Sequence, residues 1–205
     1  MRIGIDFDNT IACYDGVFHA AALERGLIPP DLARDKNSVR DHLNGTGRKD
    51  AFTELQGYVY GSRMDLVKPY PGFAEFVGAA RKANHELFIV SHKTRYPIRG
   101  PKHDMHAAAR GFLASRDLMG KGHQQIEPRN VFFELTKEDK IVRVRELACE
   151  AFIDDLPEIL GMAGFPEAMR KILFDPESQF AGKASEFDRH TSWAAISADL
   201  VREHA

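Results

Sequence analysis

Residues 2–10 read RIGIDFDNT: an apolar run that breaks into two aspartates two apart, Asp6 and Asp8, with Thr10 two further on. Four later runs share the short, Ile-, Val- and Phe-rich character of RIGIDF (2–7): ELFIVS (86–91), NVFFEL (130–135), EAFIDD (150–155) and KILFD (171–175). They are nearly continuous rather than alternating, which is the pattern of strands covered on both faces. Helical periodicity fills the intervals. PGFAEFVGAARKAN (71–84) puts Phe73, Phe76, Val77 and Ala80 on one face. HDMHAAARGFLASRDLM (103–119), KEDKIVRVRELA (137–148) and SWAAISADLVREH (192–204) carry similar stripes. Strands alternating with helices predict an α/β fold with a mostly parallel sheet. Residues 12–70 break the alternation. Helix-like pieces near 15–25, 36–44 and 48–60 make this interval far longer than the roughly 2–6 residues of a βα loop. It reads as an inserted helical module over 13–70, with 1–12 and 71–205 forming the core.

The 205 residues suffice for one good core plus a small module. The formal net charge of -2 gives no electrostatic case for nucleic acid or an anionic membrane as partner. No apolar run approaches the roughly 20 residues of a membrane helix. The opening MRIGIDFDNT is too polar for a signal h-region, and Cys13 and Cys149 are the only cysteines, so the chain reads as a reduced, cytoplasmic protein. Neither cysteine sits in a zinc-like spacing, and the His103/His106 pair lacks a third ligand nearby.

In an open parallel sheet, ligands bind beyond the carboxyl ends of the strands. The first strand ends in Asp6, Asp8 and Thr10; the second in Ser91, followed by His92 and Lys93; the fourth in Asp154 and Asp155. Lys137 and Lys140 open the helix before that fourth strand. Four carboxylates converging on one edge repel one another unless a cation joins them. Mg²⁺ suits oxygen donors and a substrate phosphate. One aspartate can then attack phosphorus, a second can shuttle the proton, and a hydroxyl and an ammonium can hold the equatorial oxygens. Taken alone, Asp6 and Asp8 fit a polar turn or helix cap equally well.

DFDNT (6–10) resembles motif I, DxDx[TV], of the phosphatases of the haloacid dehalogenase (HAD) superfamily. FIVSH (88–92) resembles its motif II, and FIDD (152–155) its motif IV. Lys140, 14 residues before Asp154, stands where motif III places a lysine, with Lys137 the weaker candidate. The resemblance covers 1–12 and 71–175 and implies a Rossmann-like core with a C1-type cap. It implies that Asp6 is the nucleophile, forming an aspartyl-phosphate, and Asp8 the general acid/base. Thr10 shapes the turn, and Ser91 and Lys140 hold phosphoryl oxygens. Asp6, the Asp8 carbonyl, Asp154 and Asp155 surround Mg²⁺, and which of the last two is inner-sphere stays open. By their position after the second strand, and not by the resemblance, His92 and Lys93 are expected to bind substrate.

The expected activity is hydrolysis of a small phosphomonoester, a sugar phosphate or nucleoside monophosphate. A phosphotransferase and a non-catalytic binding protein are the rivals, and monomer and dimer are equally open. Two further groups have both a bland and a sharp reading. The basic run Lys93, Arg95, Arg99 and Lys102 is either an exposed loop or a grip on a second anionic group. Gln56, Tyr58, Tyr60 and Arg63 of the insertion either pack its interior or touch substrate.

Overall fold

The computed structural model describes residues 1–184 and 186–201. In chain order the elements are β1 (Arg2–Ile5), β2 (Ala12–Cys13), α1 (Val17–Glu24), α2 (Lys36–Gly45), α3 (Lys49–Ser62), β3 (Lys68–Pro69), α4 (Phe73–Lys82) and β4 (Glu86–His92). They continue with α5 (Met105–Ser115), β5 (Val131–Glu134), α6 (Lys137–Glu146), β6 (Ala151–Asp154), α7 (Pro157–Leu160), β7 (Arg170–Phe174), β8 (Asp188–His190) and α8 (Trp193–Leu200). Positions 202–204 of the last expected helix lie outside the described residues.

The chain divides into two units. The first comprises Met1–Ala12, Pro69–Lys93 and Ala114–Ala205; the second comprises Cys13–Lys68 and Thr94–Leu113. In the first, six parallel strands run in the order β5-β4-β1-β6-β7-β8. This is an α/β Rossmann-like sheet. Successive strands step one way from β1 to β5, then the other way from β6 to β8. The direction reverses between β1 and β6, and such a switch point opens a crevice at the strands' carboxyl ends. Asp6 follows β1 and Asp154 closes β6, so the acidic residues stand at that reversal. The sixth strand, β8, was not expected from sequence. Its residues, Asp188, Arg189 and His190, are polar, as an edge strand allows.

Side chains alternate across β1. Ile3 and Ile5 are fully buried, while Gly4 faces the opposite way, in register with Phe88 on β4 and Phe152 on β6. A Cβ on Gly4 would lie 2.7 Å from the Phe152 ring, so glycine lets that phenylalanine close over the strand. Phe88, Val90, Val144, Cys149, Phe152, Leu160, Met169 and Leu173 form one continuous apolar cluster. Trp193 of α8 is fully buried and packs on Phe73 and Phe76 of α4 and on Phe174 of β7, with ring centroids 4.9, 4.9 and 5.4 Å apart.

In the second unit α1, α2 and α3 pack on one another. Tyr14, Phe18, Phe52 and Tyr60 form an aromatic cluster, and the Lys36 ammonium lies over Phe18 and donates to the Tyr60 hydroxyl. Tyr58 donates to Glu24, which also pairs with Arg63. The segment 94–113 belongs to this unit because α3 seats it. Gly57 and Gly61, four apart on one helix face, leave room for Pro97 and His103. Arg99 also reaches Asp50 at the start of α3.

Gly57→Ala tests that seat. Alanine improves helix propensity by about 1 kcal/mol. Its Cβ would lie 2.5 Å from the Pro97 Cβ, however, and overpacking of this kind costs about 1–3 kcal/mol. The clash outweighs the propensity gain: the melting temperature falls and amide exchange rises over 94–104. A melting temperature raised or unchanged, with unchanged exchange, would show that the loop is not held there.

Candidate active site

The stretch after β1 is folded tightly. The amides of Ile11 and Ala12 both donate to the Phe7 carbonyl, at 3.0 and 2.9 Å, and the Asn9 amide donates to Ala12. Closing so short a loop puts Asn9 at φ 57, the left-handed region that asparagine tolerates better than other residues with a side chain. The indole N–H of Trp193 donates to the Thr10 carbonyl at 3.1 Å. A residue that sequence periodicity assigns only to the core thus braces the loop. Its one signal in the sequence is that a buried indole N–H must find an acceptor.

The two aspartates of this loop each meet a different lysine. Lys140 comes from α6, whose first turn is capped by Thr136, with the Thr136 hydroxyl accepting from the Asp139 amide at 3.0 Å. The cap fixes the helical phase, and Lys140 shares the buried face with Ile141 and Val144. Its ammonium donates to Asp6 Oδ1 at 2.6 Å and to Asp154 Oδ2 at 2.5 Å. All three residues are at most 5% exposed. Lys137, on the same helix, pairs instead with Glu158 at the surface. Lys93 follows β4 and donates to both carboxylate oxygens of Asp8, at 2.9 and 2.7 Å.

Asp155 is half-buried, and its Oδ1 lies 3.5 Å from the Thr10 hydroxyl, a long contact. The other oxygen of Asp154 accepts from the Leu156 amide at 2.9 Å. Carboxylate oxygens of Asp6, Asp154 and Asp155 lie within 4.8 Å of one another, the one such group among the described residues. The Asp8 carboxylate is not part of it, being turned to Lys93. Ser91, 1% exposed, and half-buried His92 end β4. Of the other basic residues singled out from sequence, Arg95 pairs with Asp104 and Arg99 with Asp50, both in the second unit.

The electrostatics follow from burial. Asp6 is pushed up from an ordinary 3.8 to about 6, because desolvation together with repulsion by Asp154 and Asp8 outweighs the attraction of Lys140. Burial, then repulsion by Asp154 and Asp6, pushes Asp155 well above the carboxylate range. Burial opposes the charge on Lys140, but Asp154 and Asp6 overcome it and raise its pKa. Burial, then the positive charge of Lys140, lowers the His92 imidazole below its usual value. Were all four aspartates ionised, Asp6, Asp8, Asp154 and Asp155 against Lys93 and Lys140 would leave this group of six side chains with two net negative charges. Three clustered oxygen donors and a deficit of two positive charges fit a hard divalent cation such as Mg²⁺.

No family model matches the chain, and no curated protein matches it. Solved structures do. A predicted phosphatase from Clostridium acetobutylicum superposes with a TM-score of 0.61 at 12% identity, covering 98% of this chain and 97% of that one. A HAD family hydrolase from Deinococcus radiodurans R1, with bound phosphate and sodium, gives 0.59 at 17% identity over 97% and 94%. A HAD-superfamily hydrolase from Ehrlichia chaffeensis gives 0.55 at 16% identity over 97% and 94%. The chain has the HAD-superfamily fold.

The raised Asp6 pKa makes a signed prediction for cation-free protein. Between about pH 4 and 6 the folded state holds a proton on Asp6 that the unfolded state has lost, so the contribution of Asp6 to stability falls as pH rises through that window. Asp6→Asn lacks this titration. The melting temperature of Asp6→Asn minus that of wild type, measured with chelator, therefore rises from pH 4 to 6. A difference that fell with pH would reverse the sign and refute the burial argument.

Proposed function

We propose that the protein is a Mg²⁺-dependent phosphomonoesterase acting through an aspartyl-phosphate on Asp6. The observation that carries this reading is the clustering of Asp6, Asp154 and Asp155 around Lys140 at the carboxyl edge of the sheet. The HAD fold and the phosphate in one structural neighbour support it.

In this reading the Asp6 carboxylate attacks phosphorus, and the bond to the leaving oxygen breaks. Asp8 gives that oxygen a proton, so the alcohol departs neutral. Water then attacks the Asp6 acyl phosphate, Asp8 takes its proton, and inorganic phosphate leaves with Asp6 restored. Lys140 spends two of its three N–H donors on Asp6 and Asp154 and turns the third to a phosphoryl oxygen. The Ser91 hydroxyl holds another, and Thr10, braced by Trp193, keeps Asp155 and the loop in place. His92 and Lys93 lie beside the substrate phosphate. Asp6, Asp154, Asp155 and the Asp8 carbonyl would hold Mg²⁺, which when bound neutralises charge on the transferring group.

The unit containing 13–68, with its aromatic cluster around Lys36, is the proposed cap that limits substrates to small phosphorylated metabolites, sugar phosphates or nucleoside monophosphates. No described helix is long and apolar enough to cross a membrane. The sparse cysteines and near-neutral charge support the reading of a cytoplasmic enzyme acting on a small metabolite rather than on nucleic acid.

The test is p-nitrophenyl phosphate turnover with Mg²⁺. Asp6→Asn lowers kcat by about 10³-fold or more if Asp6 is the nucleophile. Activity surviving that substitution removes the assignment. Failure of the wild type on a broad panel of phosphomonoesters favours a binding protein, and phosphate transfer to an added alcohol identifies a phosphotransferase.

A further inference from the structure

Lys93 is 4% exposed, and its backbone amide donates to the Glu134 carbonyl at 2.8 Å, so the ladder between β4 and β5 continues through it. Its ammonium is held by three features at once. It lies 5.5 Å from the centroid of the Phe7 ring, and both Asp8 oxygens accept from it. Phe7 is in turn fixed edge-on against Phe133 of β5, with centroids 5.5 Å apart. The middle residue of Asp-Phe-Asp is therefore the seat on which the lysine rests. The lysine in turn grips the second aspartate by both oxygens. A buried lysine on a strand end is a costly way to place a charge unless its partner needs holding. The Asp8 carboxylate is the one of the four acidic groups that stands apart from the three-carboxylate cluster, and Lys93 binds it there by both oxygens.

We propose that Lys93 is a positioning residue: it fixes the Asp8 carboxylate for proton transfer rather than gripping substrate. The catalytic part of this proposal rests on Asp8 being the general acid/base of the phosphatase reading. With both carboxylate oxygens tied, Asp8 is held beside, but outside, the cluster proposed for the cation. Proton transfer depends on heavy-atom placement within a few tenths of an ångström, so releasing the tether slows the chemical step without weakening substrate binding.

Kinetics and a crystal structure together test this. Lys93→Met lowers kcat on p-nitrophenyl phosphate and on an alkyl phosphate by about 10-fold or more, the alkyl phosphate losing more because its leaving oxygen needs the proton, with KM within about 2-fold of wild type. Lys93→Arg, which can still bind a carboxylate by two donors, restores most of the loss. In an Asp8→Asn background, Lys93→Met has no further effect on kcat, because the residue it positions is already gone. A rise in KM that persists in the Asp8→Asn background would overturn the proposal in favour of a substrate-gripping lysine. An additive loss of kcat in the double variant would overturn it too. If Asp8→Asn itself leaves kcat unchanged on both substrates, the general acid/base reading fails instead. The crystal structure of Lys93→Met is the readout independent of activity: Asp8 moves to another rotamer, whereas in Lys93→Arg it stays. An Asp8 unmoved in Lys93→Met would refute the tether whether or not the protein hydrolyses phosphate. Lys93→Gln replaces the Met variant if the latter does not fold.

Discussion

Two buried aspartates, Asp6 and Asp154, share one ammonium, that of Lys140. Burying two carboxylates and a lysine is expensive, and removing one partner of such a group typically costs about 3–5 kcal/mol because the others are left uncompensated. The sheet order brings the two aspartates together. β1 and β6 are neighbours at the switch point, so the residues that end them meet, and α6 packs on β4 and β5 with its buried face carrying Lys140. What the ion triplet leaves unbalanced is also informative. Asp155 and Asp6 both resist ionisation, so the site without a cation is short of positive charge.

The rest of the first unit holds this triplet in place. The tight loop after β1 is possible because Asn9 accepts a left-handed backbone and because Trp193, from the far end of the chain, supplies a donor to the Thr10 carbonyl. Gly4 leaves room for the Phe152 ring over β1. The aspartates thus sit on buried, hydrogen-bonded backbone, and two lysines divide them: Lys140 takes Asp6 and Asp154, and Lys93 takes Asp8.

Much of this was legible in the sequence for one reason. A strand buried on both faces is apolar throughout, so the polar residues at its end stand out. RIGIDFDNT, FIVSH and FIDD announced themselves in this way. β8 did not, because the edge residues Asp188, Arg189 and His190 have no apolar signature, and β2 and β3 are too short to show one. The partnership of Lys93 with Asp8 was equally invisible: 85 residues separate them, and in the sequence Lys93 looks like one member of a basic run. Nor did the sequence reveal that 94–113 groups with the inserted segment, since that depends on how Gly57 and Gly61 of α3 accommodate Pro97 and His103.

In the proposed reading, the clustered carboxylates of Asp6, Asp154 and Asp155 hold a divalent cation. Calorimetric titration of chelator-treated protein with Mg²⁺, repeated in buffers of different ionisation enthalpy near pH 6, tests it most directly. The account predicts a single ion per chain, protons released to the buffer as the cation displaces them from Asp6, and no binding by Asp154→Asn. Absence of binding to the wild-type protein, or equal binding to Asp154→Asn, would contradict it.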